Sequence, residues 1–163
     1  EFEKQPDKKV FSLSCNKYGI ITSGRVLNCW VTKKATQLYR VHINDNTYVD
    51  ATPNHPFLNT KLEYIPAEEL VVGEVLKGMY EKEFVVSGIE MISLPEEEPV
   101  YDLEVEEHHN FALECGVFVH NSNKAALAQE DLRFSGAIKQ YQSYFIEGLL
   151  HIALVHQFFL LSF

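Results

Sequence analysis

The sequence predicts an all-β domain followed by a helical tail, on three observations: short runs of β-forming residues, turn residues between them, and a change of hydrophobic period near residue 121. Up to about residue 51, strand-like runs at 10–13, 20–27, 29–32 and 38–43 are broken by Asn16, Gly19, Gly24 and Asn44-Asp45-Asn46. The pattern resumes at 70–72, 75–76, 83–86 and 100–105, interrupted by Gly73, Gly78, Gly88 and Pro95. Between them, Pro95-Glu96-Glu97-Glu98-Pro99 predicts an exposed connector, because adjacent carboxylates resist packing. Beyond Ser122 the spacing changes: Leu127, Phe134, Ile138, Tyr141, Phe145, Leu149, Ile152, Val155 and Phe159 recur near the helical period. The boundary is placed between Asn121 and Ser122, giving a β unit over 1–121 and a helical segment over 122–163.

The 163 residues suffice for one buried core and an appendage. A net charge of −9 leaves no Lys/Arg field to neutralise phosphates, so nonspecific nucleic-acid binding is excluded and cationic partners are favoured. Cys15, Cys29 and Cys115 cannot all pair with one another and lack the CxxC spacing of zinc and redox sites. The expectation is three reduced thiols in a cytoplasmic setting, with no metal or cofactor. The longest apolar run, 149–163, is interrupted by His151, His156 and Gln157, which argues against a membrane span.

Three segments carry chemistry. In Gly116-Val117-Phe118-Val119-His120-Asn121-Ser122, the Asn121 side-chain amide can attack its own main-chain carbonyl and cut the chain after itself. That step needs a protonated leaving amine and a polarised carbonyl, tasks suited to the adjacent imidazole of His120. Ser122 supplies a hydroxyl that can accept an acyl group. Thr52-Pro53-Asn54-His55 sets a hydroxyl and an imidazole three residues apart in a Pro-fixed turn, where both can address one peptide bond. In Val100-Tyr101-Asp102-Leu103-Glu104-Val105, strand alternation puts Asp102 and Glu104 on one face, and His109 follows in the turn as an acid/base partner. Each segment alone also fits an ordinary turn or a charged edge strand.

Together and in this order, the segments resemble the motif blocks of inteins: Thr-x-x-His at Thr52 and His55, Tyr-Asp-Leu-x-Val followed by His-Asn-Phe from Tyr101 to Phe111, and a terminal His-Asn followed by Ser. Residues 34–41 look like the strand leading into the first of these. The resemblance spans about residue 3 to Asn121 and implies a horseshoe-shaped all-β Hint fold with autocatalytic, single-turnover protein splicing. It assigns Thr52 and His55 to activation of the upstream junction, and Asp102 and His109 to proton handling. His120 would assist, Asn121 would cyclise, and Ser122 would be the branch-point nucleophile and first residue of the C-extein.

The Cys-Leu-x-x-Asp-Thr-like block that opens inteins has no match. Cys15 lacks that context and reads as a packed thiol. What precedes Val10 resembles sequence about 20–30 residues into an intein. Either the intein is split, with a short and basic N-terminal fragment carrying the first Cys or Ser and joining the sheet by strand addition, or the sequence is cut from a contiguous intein. No homing-endonuclease motif lies between Gly73 and Pro99. The tail faintly resembles a tailed-phage portal protein, implying a phage-encoded gene in a bacterial host. Two other readings stay open: a Hint autoprocessing domain of the hedgehog or bacterial-toxin sort, which cleaves without joining flanks, and an inert β-domain that keeps only the fold.

Overall fold

A computed structural model describes residues 9–79 and 83–121, together with the backbone of Leu132–Arg133. Its strands are β1 (Val10–Cys15), β2 (Ile21–Ile43), β3 (Tyr48–Ala51), β4 (Pro56–Leu58), β5 (Tyr64–Pro66), β6 (Val75–Leu76), β7 (Phe84–Val105), β8 (Asn110–Ala112), β9 (Phe118–His120) and β10 (Leu132–Arg133). All-β character is thus as the sequence predicts. The helical expectation for 122–163 lies outside the described residues, except that Leu132 and Arg133 are extended.

Where the sequence shows several short strands, the structure has two long ones. β2 absorbs the runs at 20–27, 29–32 and 38–43, and β7 absorbs those at 83–86 and 100–105. They pair antiparallel from Val26↔Val105 to Ile43↔Val86, with register shifts near Asn28, Lys33, Gln37 and Ile43. Such irregularities take up the residues that look like strand breaks and bend the ribbon without ending it. Gly24, expected as a break, instead marks a close approach: a Cβ there would lie 2.4 Å from Val105 and 2.6 Å from the Ser14 hydroxyl.

The acidic stretch is likewise part of β7 and not a connector, with Glu98 opposite Ala35 and Pro99 opposite Lys34. Its exposure is as expected at residues 95–97, which stand opposite Thr36 at one of the register shifts, whereas Glu98 and Pro99 are half-buried. Residues 70–72 are not a strand. A 3-10 turn over Ala67–Glu69 precedes them, and Val71 and Val72 face solvent, because two adjacent valines with no partner edge have no ladder to join.

One sheet runs β1-β2-β3-β10-β7-β6, with β2 also bonded to β7; the other runs β5-β4-β9-β8. The core lies between them, built on Val41, Phe57, Leu76, Phe84, Val86, Leu103, Phe111 and Val119. β3 is fixed beside β2 by a bidentate ion pair, with Arg40 Nε 2.7 Å from Asp50 Oδ1 and Nη2 2.9 Å from Oδ2. Asp50 is 1% exposed. Because Ala51 also pairs with Tyr39, and Tyr101 with Val31, the edges of β3 and β7 that face each other are joined through Leu132 of β10. That place in the sheet is one strand wide.

Removing Arg40 takes two charge-assisted hydrogen bonds from a buried carboxylate. Arg40→Leu should therefore lower unfolding free energy by about 3 kcal/mol, measured as a drop in urea midpoint at unchanged slope.

Candidate active site

The turn from β3 to β4 contains Thr52 and His55. It is closed by His55 N donating to Thr52 O at 3.0 Å, and anchored by Ala67 N to His55 O at 2.9 Å and Glu68 N to Pro53 O at 2.8 Å. Thr52 and His55 are buried, and the Thr52 hydroxyl donates to Asn54 Oδ1 at 3.3 Å. The His55 ring packs edge-on to Phe57 at 6.1 Å, and both of its nitrogens are buried with no hydrogen-bond partner. Burial, reinforced by the charges of His120 and Lys33, pushes its pKa down to about 3. A fully enclosed imidazole that bonds to nothing is costly unless a ligand completes it.

The second group forms where β8 and β9 pair. Asn121 follows β9 and is 2% exposed; its main-chain N–H donates to His109 O at 2.9 Å and its Nδ2 donates to Val105 O at 3.3 Å. Oδ1 of the same side chain is buried without a partner. The side chain that the sequence singles out for cyclisation is thus fixed at its nitrogen, with its oxygen unsatisfied. His120 is half-buried, and burial followed by the charge of His109 lowers its pKa, which favours the neutral base. Tyr64 meets its ring edge-on at 4.7 Å.

His109 is exposed and takes a left-handed φ of 52°, which turns its carbonyl to Asn121 N. Asp102 is wholly buried on β7 opposite Trp30, with Oδ1 accepting from Leu103 N at 2.7 Å. It is an interior carboxylate and does not belong to a charged edge strand, because β2 covers one side of β7 here and β10 joins the other at Tyr101.

The structure therefore gathers His55, His120, His109 and Asn121 through direct bonds and mutual charge effects, and sets Thr52 and Asp102 one residue beyond the two positions paired with β10. Ser122 lies outside the described residues.

Three contributors escaped the sequence reading. Asn110, buried, exchanges two 2.7 Å bonds with the Cys15 backbone through its amide, and its carbonyl accepts from Ser14 Oγ at 2.8 Å. Those bonds tie β1 to β8. The other two are the Val105 carbonyl and the ring of Tyr64. Only Asn110 left a signal, as the middle residue of His-Asn-Phe.

Cys15 is buried, and burial pushes its thiol up, as a packed thiol requires; all three cysteines are free. Among the described residues no cluster of His, Cys, Asp or Glu is placed to hold a metal ion, and no helix is long and apolar enough to cross a membrane.

No family model and no curated protein matches the chain. Among solved structures it is similar to the bacterial intein-like domain from Clostridium thermocellum, at 23% identity and a TM-score of 0.62 over 70% of this chain and 81% of that one. It is similar to the DnaB intein from Synechocystis sp. PCC 6803 at 23% identity and a TM-score of 0.60, covering 76% and 86%. The PabCDC21-1 intein shares 24% identity at a TM-score of 0.61, covering 71% of each chain. The fold is the intein Hint fold.

A histidine whose folded pKa is lowered withholds no stability above its ordinary value of 6.5 and loses it as pH falls toward 3. Wild-type stability should fall between pH 6.5 and 4 with a His55 contribution approaching about 1.4 kcal/mol per pH unit. In His55→Leu that slope should be shallower, read from urea midpoints across the same pH series.

Proposed function

We propose that this chain performs protein splicing, in trans with a short N-terminal intein fragment. The observation that carries the reading is the pair of buried, incompletely bonded side chains, His55 and Asn121, set about His120 within an intein fold. Each awaits a group that the described residues do not supply. The strand position between β3 and β7 is where such a fragment would enter.

In the first step the fragment's leading Cys or Ser attacks the carbonyl before it. Thr52 would bind that carbonyl or amide, and neutral His55 would take the proton released by the attacking thiol or hydroxyl and pass it to the departing nitrogen. The acyl group then moves to the Ser122 oxygen, releasing the first nucleophile, with Asp102 and His109 taking and returning the protons. Finally Asn121 Nδ2 attacks its own main-chain carbonyl carbon. The bond to the Ser122 nitrogen breaks, a succinimide forms, and His120 carries the amide proton to the leaving amine. A spontaneous shift of the acyl group from the Ser122 oxygen to that nitrogen yields an ordinary peptide bond between the joined flanks. The Nδ2 bond to Val105 O limits side-chain rotation and the N–H bond to His109 O fixes the main chain, which keeps attacking and attacked atoms together.

The test is to mix the intact chain with a synthetic N-terminal peptide bearing Cys first and to follow products by mass spectrometry. Joined flanks are expected; cleavage without joining would favour autoprocessing, and no reaction would favour an inert domain. Asn121→Ala should retain the tail and accumulate the branched species, whereas Ser122→Ala should form no branch. Thr52→Ala and His55→Ala should slow the first acyl shift by roughly 10²–10⁴-fold. With the chain at −9, association with a basic fragment should also slow as salt rises; a rate indifferent to ionic strength would exclude electrostatic steering.

A further inference from the structure

We infer that Leu132–Arg133 occupies the strand position an N-terminal fragment needs, so that the segment downstream of Asn121 is a built-in competitor that must leave before splicing begins. The inference rests on the splicing reading for its consequence, but its structural half stands alone.

Leu132 pairs antiparallel with Ala51 on one side and with Tyr101 on the other, and Arg133 pairs with Asp50. Without β10, β3 and β7 would face each other across a gap of about 10 Å, two interstrand spacings, and each would carry an unsatisfied edge. Backbone ladders do not read side chains, so any extended segment that reaches this gap can fill it.

The register adds a second constraint. In a strand lying antiparallel to both neighbours, as β10 does, the position one residue before the one paired with Ala51 and Tyr101 falls between Thr52 and Asp102. Both of these are buried, and both are residues the chemistry calls on. A fragment entering in this register would set its first residue there and run its following residues along β3, which offers four positions from Tyr48 to Ala51. Among the described residues β10 is Leu132 and Arg133, and a fragment strand bonded along all four positions of β3 would make more ladder bonds and displace it. Until then the filled gap keeps the edge from pairing with other chains and keeps a stray peptide out of the Thr52–Asp102 position.

The test uses the full chain and its Leu132→Pro variant, which removes one backbone N–H and fixes φ, with Leu132→Ala as a control that keeps the N–H. Hydrogen exchange of the segments 48–51 and 100–102 should be faster in Leu132→Pro than in wild type or Leu132→Ala. Equal exchange in all three would overturn the occupancy. So would an equal rise in both variants, because the contact would then be side-chain packing and not a ladder. As probe, a fluorescent synthetic peptide spanning the first strands of the Synechocystis DnaB intein, its first residue set to Cys, is titrated into each chain. Binding should be about tenfold tighter to Leu132→Pro, the gain expected if the position is filled nine-tenths of the time; equal binding by all three would overturn the competitor role. Faster exchange in Leu132→Pro together with no ligation by any chain would instead refute splicing while leaving the occupancy standing.

Discussion

Two strands of more than twenty residues, β2 and β7, run antiparallel from Val26↔Val105 to Ile43↔Val86, and the frame that carries the reactive groups follows from that register. It brings Asp102 opposite Trp30 in the interior and presents the Val105 carbonyl at the end of the ladder, where Asn121 Nδ2 takes it. It also holds β3 against the Leu38–Ile43 end of β2, carrying Thr52 and His55 into the core just beyond Ala51. A slip of one residue would turn Asp102 to the opposite face and withdraw the carbonyl.

Within this frame, polar groups divide into those that hold and those that wait. Asn110, Arg40–Asp50 and the Asn59 amide, which accepts from Lys61 N and Glu63 N at 2.9 Å each, are saturated and fix loops and strands in place. His55 and the Asn121 oxygen are buried and incompletely bonded. Native interiors rarely tolerate that, and where they do, strain or function is the usual reason. The low pKa of His55 has the same origin, since an enclosed ring with no acceptor cannot keep a proton.

Much of the site was legible because it is local. Thr52 and His55 share one turn, His120 and Asn121 are neighbours, and the Asp102 segment keeps strand alternation, so residue type and spacing expose them without knowledge of the fold. Strand lengths were not. The gap at Asn28 and the acidic stretch 95–99 look like breaks because local propensity cannot anticipate a partner strand that supplies hydrogen bonds through a bulge, and Gly24 does because it cannot anticipate the close approach of Val105. Residues 70–72 look like a strand for the opposite reason, since β-branched valines favour extension whether or not an edge is near.

By itself the sequence determined the all-β class, the turns at Asn16 and Asn44-Asp45-Asn46, and the reactive residue types, all of which depend on neighbours a few positions apart. Tertiary structure alone decided that Asp102 is interior, that Asn110 clamps Cys15 from 95 residues away, that Asn121 is held by Val105, and that β3 and β7 leave a place one strand wide. These features depend on which distant segments meet, and that is set by long-range strand register and burial, which no short window of residues encodes.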